Sequence, residues 1–317
     1  MKLFKPLQVC SFIFGIFPCI EHNNRFRFHW IGMVIKFVSA VLIIIMSKIM
    51  WANMHEHFQK GRTTLYTYHV LSIQELYPHM VTTTIIANIV CQLHFIRPGV
   101  YRIINDCFFS ISCDISGISQ YLTAFTVAMS VIIEIALYIT IIIQWFSVDE
   151  IITWLFLPVS NILCFTTEQF YYILCFITYI RLKKVNQDIK TLVNKARVPR
   201  WKYWVSPAAG GHTSIGIPAF SEPDIENIRI VHRSCMMMYR HYNSMFQIPI
   251  MMCLLDCSFR TLLTVYGFMF EITIVLWEHK NMIQVFKTFN YAAYSVTRLI
   301  RIWYLCRCEN FIMNKVQ

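Results

Sequence analysis

Ionisable and amide side chains inside long apolar runs are costly to bury, so chemistry is sought among them first. Three stretches carry such residues at helical spacing. In the first, Glu134, Tyr138, Ile141/Ile142 and Trp145 share one face. In the second, Trp154, Pro158, Asn161, Phe165 and Glu168 do so. In the third, Asn290, Tyr294 and Arg298 line up, beside Phe286 and Tyr291. Aromatic rings with a few amides and one carboxylate suit a small polar or amphipathic ligand. Rings cover its apolar face and amides fix its hydroxyls or nitrogens. The candidate contacts are Glu134, Tyr138, Trp145, Trp154, Asn161, Asn290, Tyr291 and Tyr294. The same residue types also serve as aromatic belts at membrane surfaces and as hydrogen-bonding glue between helices. For Glu134 a structural partner in the bundle is an equal reading.

Two further pairs stand at i, i+4 spacing. Asp256 and Arg260 most simply neutralise each other along one helix. Glu75 and His79, beside Pro78, form either a pH-sensitive pair or packing at a kink. Catalysis finds no support. There is no His-Glu-x-x-His, no Gly-x-Ser-x-Gly and no phosphate-cradling glycine loop, and no nucleophile stands with a base. Neither an enzyme nor a cofactor is expected. The twelve cysteines show no zinc spacing with suitable histidines, so no metal is expected. None falls in a segment read as extracellular, so no disulfide framework is expected either.

What must position these residues is set by composition. Hydrophobic residues make up 56% of the chain and charged residues 14%, against about 25% charged in a soluble domain. Mean hydropathy is +0.50. The reading is all-α: a polytopic membrane bundle with six predicted transmembrane helices, at about 30–50, 68–96, 121–146, 151–180, 246–277 and 283–306. A membrane β-barrel would instead show short alternating strands. The net charge of +11 suits cytosolic loops better than nucleic acid.

The fourth and fifth helices overrun the membrane. Leu182, Val185, Ile189 and Leu192/Val193 continue an apolar stripe among Arg181, Lys183, Lys184, Asp188 and Lys190. Ser221-Glu222-Pro223-Asp224 reads as a helix start. Ile225, Ile228, Val231, Cys235, Tyr239, Tyr242 and Met245/Phe246 then recur every three or four residues. Two water-facing extensions with one apolar face each call for partners, within a subunit or between subunits. Between them, residues 197–223 read as a flexible cytosolic linker.

The first 29 residues carry no cleavable signal and read as a short interfacial helix on the inner leaflet. In the first predicted span, Lys36 and Lys48 are expected to snorkel towards opposite ends. Arg97 to Gln120 is expected to be an inner loop. Basic residues fall mainly at Arg25, Arg27, Arg97, Arg102 and from Arg181 onward; Lys60, Arg62 and Lys280 fall on the other side. Both termini are therefore expected in the cytosol. That excludes the topology of a G-protein-coupled receptor, whose Asp-Arg-Tyr and Asn-Pro-x-x-Tyr signatures are also missing.

Asn227-Ile-Arg-Ile-Val-His-Arg, followed by Tyr242-Asn-Ser-Met-Phe-Gln-Ile-Pro-Ile-Met, resembles the entry to the fifth span of insect gustatory receptors. Phe4-Lys5-Pro6-Leu7 and Phe14-Gly15-Ile-Phe17-Pro18 resemble their N-terminal segment. Trp303-Tyr-Leu-Cys306-Arg-Cys308-Glu309 is similar to their exit from the sixth helix. The resemblance implies a plasma-membrane chemoreceptor for a small-molecule tastant, with lipid around it. It also implies homo- or hetero-tetramers with other gustatory receptors and a ligand-gated cation channel whose pore is lined by a seventh helix. The mark of that helix, a Thr-Tyr dipeptide followed by apolar residues and Gln-Phe, does not occur here as a motif. The chain is accordingly expected to be either an incomplete gene model or a six-span product that does not conduct alone. An odorant receptor of the same superfamily and a six-span transporter are the alternatives. A transporter would call for internal repeats, and none is evident.

Overall fold

Inside a membrane the usual burial pattern inverts: small and polar residues face neighbouring helices, and large apolar ones face lipid. Helix α2 (Trp30–Lys60) shows this in the computed structural model. Gly32, Lys36, Ile43 and Ser47 are buried, while Trp30, Val34, Phe37, Val38, Leu42 and Ile45 are exposed. Residues Trp30–Ile49 are long and apolar enough to cross a bilayer. Lys36 is only 4% exposed. It turns into the bundle instead of snorkelling, because its position lies on the small-residue stripe. Lys48 is exposed.

The structure describes residues 5–13, 17–22, 25–60, 67–109, 132, 148–197, 222–277, 289, 292–303 and 305–307. Within them run α1 (Lys5–Ile13), the strands β1 (Cys19–His22) and β2 (Arg25–Phe28), α2, α3 (Thr67–His94), α4 (Pro98–Phe109), α5 (Val148–Arg197) and α6 (Glu222–Trp277). A last helical segment covers 292–303 and 305–307. The whole is a helical membrane bundle with one small hairpin. The third predicted span and the linker fall outside the described residues, apart from Ile132 and the ends of the flanking helices.

The N-terminal segment is more than an interfacial helix. β1 and β2 pair antiparallel, with Cys19 opposite Phe28 and His22 opposite Arg25. Asn105 of α4 accepts the amide hydrogen of Phe26 at 2.7 Å. Phe17, fully buried, drives into an aromatic nest. Its ring centre lies 5.1 Å from Phe170, 5.3 Å from Tyr101, 5.4 Å from Phe26 and 6.0 Å from Phe95. Burial pushes the Cys19 thiol up to about 12. Gly32 lets α2 approach this lobe: a Cβ there would lie 2.7 Å from Phe12 Cε2 and 2.9 Å from Pro18 Cα.

The expected inner loop after α3 opens with helix α4. The chain bends by 68° between the two helices. Pro98 supplies no amide and suits the first helical position. The Tyr101 hydroxyl donates to the Phe95 carbonyl, which the break has freed from its helix. Val100, Tyr101 and Ile104 form the inward face.

At ~1.5 Å per residue, α5 and α6 run roughly 75 and 85 Å, well beyond a ~30 Å hydrocarbon core. From Ser160 to Tyr171 every residue of α5 is buried, which makes this stretch the central post of the bundle. Its threonines are satisfied within the helix: Thr166, Thr167 and Thr178 each donate to the carbonyl four residues back. On α6 the buried positions are Cys235, Tyr242, Phe246, Pro249, Cys253, Asp256/Cys257 and Arg260/Thr261. Of the stripe the sequence predicts, Cys235, Tyr242 and Phe246 are buried, Ile228, Tyr239 and Met245 are half-buried, and Ile225 and Val231 are exposed because no neighbour covers them among the described residues; α6 stays one helix through Pro249.

Candidate functional site

A layer of polar side chains crosses the bundle where α3, α5, α6 and the last helical segment meet. Asp256 and Arg260 face inward one turn apart on α6. They make the expected ion pair, Arg260 Nε to Asp256 Oδ2 at 2.9 Å, with side chains 2% and 0% exposed. The pair does not stand alone. Thr84 of α3 donates to Asp256. One Arg260 nitrogen reaches Thr84 at 3.1 Å and Ser160 of α5 at 2.9 Å. Asn88 of α3 donates to the same Ser160 oxygen at 2.8 Å. A guanidinium spreads its donors in a planar fork, so one arginine can tie three helices together.

A second charge pair joins α5 to the last helical segment. Arg301 grips Glu168 with two nitrogens, at 2.7 and 3.0 Å, and donates a third hydrogen bond to Asn161. Its guanidinium carbon also sits 5.3 Å from the Phe165 ring centre. Glu168 and Asn161 are two turns apart on one face, so a single side chain spans both. Arg298, one turn before Arg301, is fully buried. It donates to the Tyr294 hydroxyl and lies 4.5 Å from that ring centre.

Of the candidate contacts, the structure brings Asn161 and Tyr294 into this layer. Asn161 is fully buried. Its Oδ1 is taken by Arg301, while its Nδ2 donor meets no acceptor among the described residues. Trp154 lies on α5, two turns before Asn161, with its side chain outside the described residues. Glu134, Tyr138, Trp145, Asn290 and Tyr291 also lie outside them, as does the side chain of Glu75. His79 is exposed.

Arg301, Thr84, Asn88 and Ser160 escape the sequence reading. A usable signal existed for the first. Arg298 and Arg301 stand three apart in an apolar run, so each needs an intramembrane acceptor, and Glu168 and Asp256 are the carboxylates at hand. Near the mouth of the bundle, Tyr171 donates to Asn243 at 2.9 Å, linking α5 to α6. Arg181, expected on the water-facing side, is only 4% exposed and points a nitrogen at the Met238 sulfur, 3.8 Å away.

Among the described residues, this layer has no nucleophile–base pair poised for catalysis. It is a hydrogen-bonded lock in which Asn161 keeps an open amide donor, in a helical membrane scaffold. Such an arrangement belongs to a membrane receptor, channel or transporter. The sequence matches the 7tm chemosensory receptor family over residues 4–317, and the chain belongs to that family. No curated protein matches it. The protein is thus a multi-pass membrane chemoreceptor, from a receptor family and not an enzyme family.

Proposed function

We propose that the chain is a gustatory receptor subunit. It detects a small-molecule tastant at the plasma membrane with both termini in the cytosol, and as part of a complete receptor it gates a cation current. The observation that carries this reading is the family match across residues 4–317. The ligand is held on the face that includes Trp154, Asn161 and Tyr294, with Glu134, Tyr138, Trp145, Asn290 and Tyr291 completing it. The open Nδ2 of Asn161 supplies a donor for a ligand hydroxyl or carbonyl. Arg301 holds the Oδ1 of the same amide, so a ligand accepting from Nδ2 bears on the Arg301–Glu168 pair through Asn161, giving binding a route into the bundle.

Subunits assemble as tetramers through the far ends of α5 and α6. Support comes from apolar residues left uncovered there: Ile189, Val193, Ile225, Ile230 and Val231 are 40–55% exposed. Lipid is a second partner. A groove of about 370 Å³ between α2 and α3 is lined by Ile43, Ile44, Ser47, Lys48, Ala52, Ile85 and Ile89, and suits an acyl chain.

The test is ligand-evoked current or calcium entry in cells expressing the chain with and without other members of the family, across a panel of sugars, alkaloids, amines and amino acids. A response that Asn161→Ala abolishes for some ligands, at unchanged surface expression, supports the reading. Silence in every combination sinks it.

A further inference from the structure

Three cysteines from three helices converge beside the polar layer: Cys91 on α3, Cys164 on α5 and Cys253 on α6. All three are at most 1% exposed. Their sulfurs lie within 4.8 Å of one another, with Cys91 and Cys253 at 3.5 Å. No sequence spacing announces the group, because each thiol comes from a different helix. We infer that Cys91, Cys164 and Cys253 form a binding site for a soft monovalent cation, with Cu(I) as the occupant.

The geometry fits three-coordination. A metal–sulfur bond of about 2.3 Å places three sulfurs in a trigonal plane roughly 4 Å apart, close to the spacing observed. Soft thiolates select Cu(I) and zinc among available metals. Zinc in structural sites takes four ligands in a tetrahedron, whereas the three helices supply three sulfurs here. Ala87 is fully buried in the same cluster and Met252 packs against it, and soft Cu(I) prefers the three sulfurs to the neutral amide oxygen of Asn88, which lies 3.9 Å from the Cys164 sulfur.

Charge favours an anionic metal–thiolate unit. Among the described residues, the polar layer beside the thiols holds three arginines, Arg260, Arg298 and Arg301, against two carboxylates, Asp256 and Glu168. A hydrogen-bonded relay ties the site to the layer. Cys164 Sγ lies 3.9 Å from the Asn88 Oδ1, Asn88 donates to Ser160, and Ser160 accepts from Arg260. Binding exchanges thiol protons for the metal, which leave to solvent. Copper and sulfur keep their oxidation states. The bound ion cross-links α3, α5 and α6 at the level of the lock.

The probe is Cu(I) itself, supplied to the purified full chain under reducing conditions against a competing Cu(I) chelator. Copper per chain and the X-ray absorption spectrum at the copper edge are read together. The expected result is one copper per chain with an all-sulfur first shell. Cys91→Ser, Cys164→Ser and Cys253→Ser should each weaken retention at least about tenfold, while Cys175→Ser and Cys306→Ser leave it unchanged. Copper retained equally by the triple serine variant overturns the site, as does a first shell of nitrogen and oxygen. Should the serine variants not fold, maleimide labelling of the wild type in rising denaturant decides. Copper must shield these three thiols and not Cys306; equal labelling with and without copper overturns the proposal. A Cys91–Cys253 disulfide in freshly isolated protein would overturn it too.

Discussion

Glu168 and Arg301 illustrate how much a buried pair depends on both partners. Their side chains are 3% and 11% exposed. Removing one partner strands the other charge away from water, a loss on the order of 3–5 kcal/mol. Arg301→Ala should therefore sharply lower the unfolding midpoint in mixed micelles. Replacing both residues by Met should restore most of it, since an apolar pair of similar volume carries no desolvation cost. If the double variant is as weak as the single one, the pair is not the source of the loss. The exposed pair Glu226–Arg229, at 2.8 Å, is the contrast. Solvent screens it, so its removal should leave the unfolding midpoint almost unmoved. Part of this was legible in the sequence. Asp256 and Arg260 read as a pair because four residues along a helix fix their proximity. Glu168 and Arg301 did not, since they are 133 positions apart and meet only once the rotation of both helices is set. Thr84, Asn88 and Ser160 carry no local mark at all; only the arginine they surround gives them meaning.

At the level of the N-terminal lobe, packing outweighs membrane affinity. Phe17→Ala empties the aromatic nest and should cost roughly 3–5 kcal/mol locally. The visible consequence is faster proteolysis around the β1–β2 hairpin, with the helices beyond α2 still protected. Gly32→Ala should loosen the same lobe, because the new methyl meets the backbone of Pro18. Gly99→Ala should be tolerated, because it meets only the flexible end of Met245, at 2.7 Å. The lobe should also weaken in alkali. Cys19 keeps its proton in the folded state up to about 12, against 9.0 for the ordinary thiol. The unfolded chain thus binds fewer protons between those values, so the thiol's contribution is complete below pH 9.0 and is lost as pH rises towards 12. Cys19→Ala should flatten that decline, and at pH 9.0 iodoacetamide should modify exposed Cys306 well before Cys19. The hairpin had a signal that the amphipathic reading passed over. Arg25-Phe-Arg-Phe alternates with a period of two directly after Asn23-Asn24, a turn-forming pair. The α4 helix was hidden for a different reason: a polar segment beside a membrane reads as loop unless its short apolar face is tested for helical period.

The bundle as a whole is built around α5, buried on all sides from Ser160 to Tyr171. The helical class, the long fourth and fifth helices and their overrun past a bilayer all follow from apolar run length and a persistent stripe, which sequence reports directly. How those helices rotate against one another does not follow, because lipid and protein accept the same apolar residues and the stripe loses contrast inside the membrane. Outside it, the uncovered ends of α5 and α6 argue for a shared assembly. If subunits assemble there as proposed, Ile189→Glu with Val193→Glu should shift the solubilised protein to smaller species by native mass spectrometry; an unchanged mass would place the assembly contacts elsewhere.

The chemoreceptor reading turns finally on whether a small molecule binds at the face that holds Asn161 and Tyr294. The measurement is the thermal midpoint of the purified chain across a tastant panel, repeated for Asn161→Ala and Tyr294→Phe. A ligand that binds only the folded state raises the midpoint with concentration. The expected result is at least one compound that does so for the wild type and loses its effect in both variants while the unliganded variants remain folded. A ligand whose stabilisation survives both substitutions, or a panel with no stabilising compound, would contradict it.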